Sequence, residues 1–196
     1  MNLVYINSAN GLSKAALETV TYAKKLGADV AVVTNGNAAA ELLATLGAYG
    51  ASTILQDAGV DGQDPSQLVK LVAAAAAKVG ASTIIFSHDL IGKAVAPRLS
   101  VRLKAGLVAG AVALPEADGS TKVNVFSGKA FGYVKVNSAV RIISLLPNSI
   151  QPEQTGGNCS TEAFDSQAGS SAITVKATKK PDGAIPLPEA ELVVSA

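Results

Sequence analysis

Asp64-Pro65-Ser66-Gln67-Leu68-Val69-Lys70-Leu71-Val72-Ala73-Ala74-Ala75-Ala76-Ala77-Lys78-Val79-Gly80, followed after Ala81-Ser82 by Thr83-Ile84-Ile85-Phe86, is the stretch that decides the fold class. Asp64 can accept a hydrogen bond from the first free amides of a helix, and Pro65 suits the first helical position because its missing N–H would have no partner there. Leu68, Leu71, Val72, Ala75 and Ala76 recur at helical spacing and form one apolar face, which Gly80 brings to an end. Thr83 to Phe86 has no polar alternation, which predicts a strand buried on both faces.

The same unit repeats on the amino-terminal side. Leu3-Val4-Tyr5-Ile6 reads as a strand. A helix from about Ser13 follows, with Glu18 supporting its first turns, Ala16, Leu17, Val20 and Ala23 facing inward, and Gly27 closing it. Val30-Ala31-Val32-Val33 is a second strand. A helix capped by Asn37 carries Leu42, Leu43 and Leu46 and closes at Gly47 or Gly50, and Thr53-Ile54-Leu55 makes a third, short strand. Beyond the fourth strand a helix is expected from about Gly92 to Lys104, with Pro97 tolerable only near its start. Strands alternating with helices in this way predict an α/β fold: a three-layer, mostly parallel, Rossmann-like sheet with helices on both faces.

After Gly106 the pattern changes. Leu107–Leu114, Lys122–Phe126, Ala130–Val136 and Val140–Leu146 are strand-like runs with no helix between them, so the second half predicts an antiparallel β extension joined by hairpins. Residues 148–171, rich in Ser, Gly, Gln and Asn, read as a long loop, and Ile173-Thr174-Val175-Lys176 as a half-exposed strand. The expected organisation is one domain over 1–178, a linker over 179–190, and in 191–196 the opening strand of a further domain, at Ala190 to Val194, on which the chain stops.

Composition narrows the chemistry. With 196 residues and 48% hydrophobic content the chain can bury a full core. Sixteen basic residues against fifteen acidic ones, and no Trp, argue against a phosphate-tracking or base-stacking surface, so nucleic acid is not an expected partner. The longest apolar run, Leu71 to Ala77, is far too short to span a bilayer, so no membrane insertion is expected. The lone Cys159 can make neither an internal disulfide nor a cysteine metal site, and its Asn158-Cys159-Ser160 context matches a glycosylation sequon only formally. A cytoplasmic, reducing location is expected.

His88 is the sole histidine, so any histidine-based metal pair is impossible. Ser87, His88 and Asp89 are consecutive, and side chains on an extended segment diverge, which is poor geometry for a nucleophile, base and orienting acid. A polar histidine at a strand mouth is the plainer alternative. No G-x-G-x-x-G follows any strand, since Asn7-Ser8-Ala9-Asn10-Gly11 offers a single glycine. Ser87 to Ala94 lacks the first glycine and the Ser/Thr of a phosphate loop, so Gly92 more simply permits a tight helix entry with Lys93 in solvent. Open α/β sheets bind small molecules at the carboxyl ends of their strands, and here that rim would comprise Ser8, Asn10, Gly11, Thr34, Asn35, Ser87, His88 and Asp89. It would suit a mononucleotide, and a stand-alone nucleotide-binding domain of the adenine nucleotide hydrolase kind is the alternative function. The acids from Asp61 to Asp64 lack calcium-loop spacing. Arg98 and Arg102 share a helix face that serves either a subunit contact or solvent.

Three segments in order carry a family resemblance. Ser87-His88-Asp89-Leu90-Ile91-Gly92-Lys93-Ala94-Val95-Ala96-Pro97-Arg98-Leu99 resembles the G-K-x-x-x-P-R segment of electron-transfer flavoprotein alpha subunits. Val125 to Phe131, with Val140 to Ser144 beyond, is similar to that family's R-x-x-x-x-G-N-A hairpin and following strand. It departs from it by Val125 or Phe126 near the arginine position and by Lys129 in place of asparagine. Pro188-Glu189-Ala190-Glu191-Leu192-Val193-Val194-Ser195 is similar to the stretch that leads into the family's flavin domain. The resemblance implies an amino-terminal scaffold domain, not an enzyme, within an alpha–beta heterodimer. That heterodimer carries electrons through FAD from dehydrogenases to a quinone-linked or other acceptor. It also implies that the FAD-binding residues lie in the carboxyl-terminal domain, so that no catalytic, cofactor or metal residue falls within 1–196 and this chain binds no FAD of its own.

Overall fold

The β-branched runs of the first half become strands because their side chains find helices on both sides. The structure, a computed structural model, describes residues 1–8, 11–177 and 192–194. Its elements are β1 (Asn2–Asn7), α1 (Lys14–Lys25), β2 (Val30–Asn35), α2 (Ala40–Ala48), β3 (Ala51–Asp57), α3 (Pro65–Val79), β4 (Thr83–Ser87) and α4 (Leu90–Leu103). Then follow β5 (Gly106–Ala111), β6 (Thr121–Val125), β7 (Ala130–Val134), β8 (Arg141–Leu145) and β9 (Ser160–Ala163). Among the described residues the strands form one sheet in the order β7-β6-β5-β8-β4-β1-β2-β3-β9. All neighbours run parallel except β6 against β5 and β7 against β6.

Alternate residues of each strand serve opposite faces. Leu3 and Tyr5 of β1 join Ala31, Val33 and Ile84 beneath α3 and α4, which contribute Leu68, Leu71, Val72, Val95 and Leu99. Val4 and Ile6 join Val30, Val32 and Ile85 beneath α1 and α2, which contribute Val20, Ala23, Leu43 and Leu46. Right-handed crossovers explain the sorting: stepping from β1 to β2 to β3 places α1 and α2 on one face, and jumping back across β1 to β4 places α3 and α4 on the other. The reversal opens a crevice between β1 and β4 at their carboxyl ends. The expected fold class, three layers around a mostly parallel sheet, is what the structure has.

Helix ends follow the residues that cap them. Ser13 and Asp64 accept from Ala16 N and Ser66 N, and Gly80 closes α3 in the left-handed region at φ +61.

Several expectations are corrected. Asn37 does not cap α2, whose N-cap is Ala39 without a side-chain bond. Gln56 Nε2 donates to the carbonyls of Gly36 and Ala38, which holds that backbone away from the helix. Helix α4 begins before Gly92, because Asp89 Oδ1 accepts from Gly92 N at 2.8 Å. Pro97 therefore lies well inside the helix, on its exposed side, where the carbonyl it leaves unpaired can meet water. Strand β8 does not pair with β7 but inserts between β5 and β4, parallel to both. Ile142 and Ile143 point to opposite faces and both are fully buried, which only an interior strand permits.

The supposed loop 148–171 contains β9, added to the open edge of β3 through its backbone ladder, with all four side chains exposed. Ile173 to Lys176 forms no strand; Ser171 Oγ instead accepts from Ile173 N and donates to Asp64 Oδ2 at 2.8 Å. Leu192 to Val194 are not in a strand either, and the remaining residues of that expected strand, with the 179–190 linker, lie outside the described residues.

Candidate functional site: the carboxyl rim of the sheet

The rim expected from the sequence forms two clusters. At β1 and β2, the buried Ser8 Oγ donates to Asn35 O at 3.0 Å and accepts from Thr34 Oγ1 at 2.7 Å. Tyr5 OH donates to Asn35 Oδ1 at 2.8 Å. Gly11, at φ +89, donates its N–H to Ser8 O, while Asn10 lies outside the described residues. Gly62 comes down over this corner so closely that a Cβ there would stand 2.5 Å from Asn35 Nδ2 and 3.1 Å from Asn7 Oδ1. Ser8, Thr34 and Asn35 are thus turned inward and tied to one another.

At β4 the three consecutive residues go three ways. Ser87 Oγ is buried with no hydrogen-bond partner among the described residues. His88 Nδ1 lies 2.9 Å from Ser144 Oγ, which also accepts Gly110 N at 3.2 Å. Gly110, at φ +74, occupies the irregularity where β5 meets β8. That hydroxyl, with one proton and two lone pairs, can either donate to Nδ1 or accept from it, according to the imidazole tautomer. Asp89 caps α4. A nucleophile–base–acid array is therefore not assembled: the serine bonded to His88 is 2% exposed, and the neighbouring aspartate faces a helix end.

Burial and, secondly, the Lys93 charge hold the His88 pKa below the ordinary histidine value, against the opposing pull of Asp89. Burial, with a smaller contribution from Asp89, raises the Tyr5 phenol far above its ordinary value. The His88 shift gives a testable pH dependence. A histidine whose folded pKa is depressed contributes stability that is present above the unfolded value of ~6.5 and lost as pH falls through the folded pKa. His88→Asn, which keeps a polar partner for Ser144, is expected to flatten the fall in melting temperature between pH 7.5 and pH 5 relative to the wild type. Parallel melting curves across that interval would contradict this.

Between β1 and β4 lies a cleft of about 50 Å³ whose walls include Tyr5, Asn7, Ser13, Ser87, Asp89 and Gly92. That volume accommodates no more than a few waters. The amino termini of α1 and α4 both open on it, and such termini ordinarily attract phosphate. Here each is filled by the chain itself, α1 by Ser13 Oγ and α4 by the Asp89 carboxylate, whose charge repels an anion. These residues do not fit a flavin or a nucleotide pyrophosphate. A wider groove of about 420 Å³, which Lys70, Ala73, Ala74, Arg102, Ser166 and Gln167 line, brings no set of polar groups to a point, and the Lys70 ammonium is bound to Ala168 O. Among the described residues no three His, Cys, Asp or Glu side chains gather as metal ligands, and no helix is long and apolar enough to cross a membrane.

Sequence reasoning missed the aromatic residues Phe126, Phe131 and Tyr133, which stand exposed on the β6–β7 hairpin. Their signal was present in the alternation along Ala130 to Val134, where no helix follows to cover the outer face.

Sheet order and crossovers define a Rossmann-like α/β domain. The sequence model of the electron transfer flavoprotein domain matches residues 2–179, and the chain belongs to that family. It is 29% identical over 118 residues to the electron transfer flavoprotein subunit alpha of Bacillus subtilis, covering 58% of this chain and 36% of that protein. It is 41% identical over 75 residues to the putative electron transfer flavoprotein subunit YdiR of Escherichia coli, covering 36% of this chain and 24% of that protein. The matched parts thus span about a third or less of the length of these relatives. The family resemblance read from the three segments is borne out.

Proposed function

We propose that the chain is the amino-terminal scaffold domain of an electron transfer flavoprotein alpha subunit. On this reading residues 1–178 form the domain, 179–190 a linker, and the domain packs against a beta subunit while FAD is held elsewhere in the heterodimer. The complete protein carries electrons from dehydrogenases to a quinone-linked or other acceptor in the cytoplasm, and this domain performs no catalysis.

The observation that carries the reading is the rim. A family match across residues 2–179 coincides with a switch-point cleft of about 50 Å³ closed by the Asp89 carboxylate. A fold of this type that has given up its ligand position retains its surfaces, and those suit a structural role. Titrating FAD with the isolated chain tests the claim: flavin emission is expected to stay unchanged, and neither AMP nor ATP is expected to raise the melting temperature. Saturable quenching, or a nucleotide-dependent shift abolished by Asp89→Ala, would return function to the rim.

A further inference from the structure

The β6–β7 hairpin forms the sheet edge opposite β9. Its register pairs Lys122 with Tyr133 and Asn124 with Phe131, so these four side chains share one face. The other face carries Thr121 and Val123, buried at 2% and 5% exposure, whereas Phe131 and Tyr133 are 58% and 59% exposed. The turn is odder still. Gly128 N donates to Val125 O, and the two central residues, Phe126 and Ser127, both sit at φ 52. Such a turn favours Asn-Gly, because a side chain on a left-handed residue crowds its own backbone. Here it holds a phenylalanine that is 77% exposed. A strained aromatic placed in water does nothing for this domain alone, which points to a use outside it.

Charge selects the occupant. Residues 118–135 carry Lys122, Lys129 and Lys135 against the single acid Asp118. Lys122 Nζ lies 3.7 Å over the Phe131 ring and Lys129 Nζ 5.6 Å from the Phe126 centroid. A second copy is a poor occupant: antiparallel pairing of two β7 edges about Gly132 would set Lys129 of each copy opposite Lys135 of the other. Like charges directly across a ladder are destabilising, and edge lysines are a common guard against such pairing.

We infer that this hairpin is a docking element for a partner protein whose surface presents carboxylates around an apolar patch. The lysines meet the carboxylates while Phe126, Phe131 and Tyr133 fill the apolar centre. The inference rests on the subunit role proposed above, and the partner it names is the beta-type subunit.

The test compares Kd for the purified beta-type subunit between the full chain and three variants, with thermal melting of each. Phe131→Ser/Tyr133→Ser is expected to weaken binding about 30-fold, the loss typical of a central aromatic anchor. Lys122→Glu/Lys129→Glu is expected to lower the association rate and to remove its fall with added salt. Phe126→Asn/Ser127→Gly relieves the turn, so it is expected to raise the melting temperature by about 2–4 °C while weakening binding. That combination separates a docking role from a merely structural one. If the wild type binds and all three variants bind equally well, the docking surface is wrong and the subunit role stands. If the wild type does not bind, both fall. If the chain instead dimerises alone, and Phe131→Ser/Tyr133→Ser abolishes the dimer, the occupant is a second copy and the inference is overturned.

Discussion

Gly92→Ala is expected to destabilise the domain by about 3 kcal/mol, at the upper end of what overpacking usually costs. A Cβ at this position would stand 1.9 Å from Ser87 O and 3.4 Å from Phe86 Cβ. The closer atom is backbone and cannot rotate aside. Either the first turn of α4 lifts from the end of β4, or the Ser87 peptide tilts and disturbs pairing with β8, where Ser87 lies opposite Leu145. Both routes loosen Asp89, whose bond to Gly92 N starts the helix. Urea unfolding reads the loss as a midpoint lower by about 1–2 M, with an unchanged slope. A variant within about 0.5 kcal/mol of the wild type would mean that α4 does not sit this close to β4.

The next largest effect concerns the segment after β8, which the protein straps round three helices. Asn148 N donates to Glu18 Oε2 of α1, and Thr155 N to Ala48 O at the end of α2. Beyond β9, Ser166 gives both its N–H and its hydroxyl to Asp57 Oδ2, at 2.8 and 2.5 Å, while Asp57 Oδ1 holds Gly59 N. Asp57 is 6% exposed, so Asp57→Ala leaves three donors without their acceptor in a nearly dry place. Hydrogen bonds to a buried charge contribute about 1.5–3 kcal/mol each and are not additive, so a loss of about 3 kcal/mol is expected in urea unfolding. Residues 164–171 should also become the first site of limited proteolysis, because the strap would lose its most buried anchor and keep only Phe164 N on Gln56 O, Lys70 and Gln67 on Ala168 O and Gly169 O, and Asp64 on Ser171 Oγ and Ala172 N. Unchanged proteolysis with lowered stability would assign Asp57 to the β3 turn and not to the strap.

These two positions mark what could and could not be read in the chain. Helices α1 and α3 were legible because Ser13, Asp64, Pro65 and Gly80 carry their instructions locally. The strand β4 was legible because nothing polar interrupts it. The placement of β8 was not, since adjacency in sequence suggested a hairpin with β7, and only the burial of both Ile142 and Ile143 selects an interior position. Strand β9 was invisible: Ser160-Thr161-Glu162-Ala163 pairs through its backbone and exposes every side chain, leaving no periodicity to detect. The rim residues could be placed, since each follows an apolar run directly. Their partners could not, because His88 is bound by Ser144, 56 residues further on, and Asn35 by Tyr5 of β1 and by Ser8 just beyond it.

The same contrast bears on function. Family membership follows from segments spread along the chain, whereas the caps by Asp89 and Ser13 and the close approach of Gly62 at the rim are three-dimensional facts. Together they are the grounds on which the domain is proposed to hold other parts in place. Sedimentation of the chain with the beta-type electron transfer flavoprotein subunit from the same source tests that claim most directly. The account predicts a one-to-one complex, with no flavin brought by this chain alone. Two species that sediment independently at every ratio, or a chain that arrives with its own flavin, would contradict it.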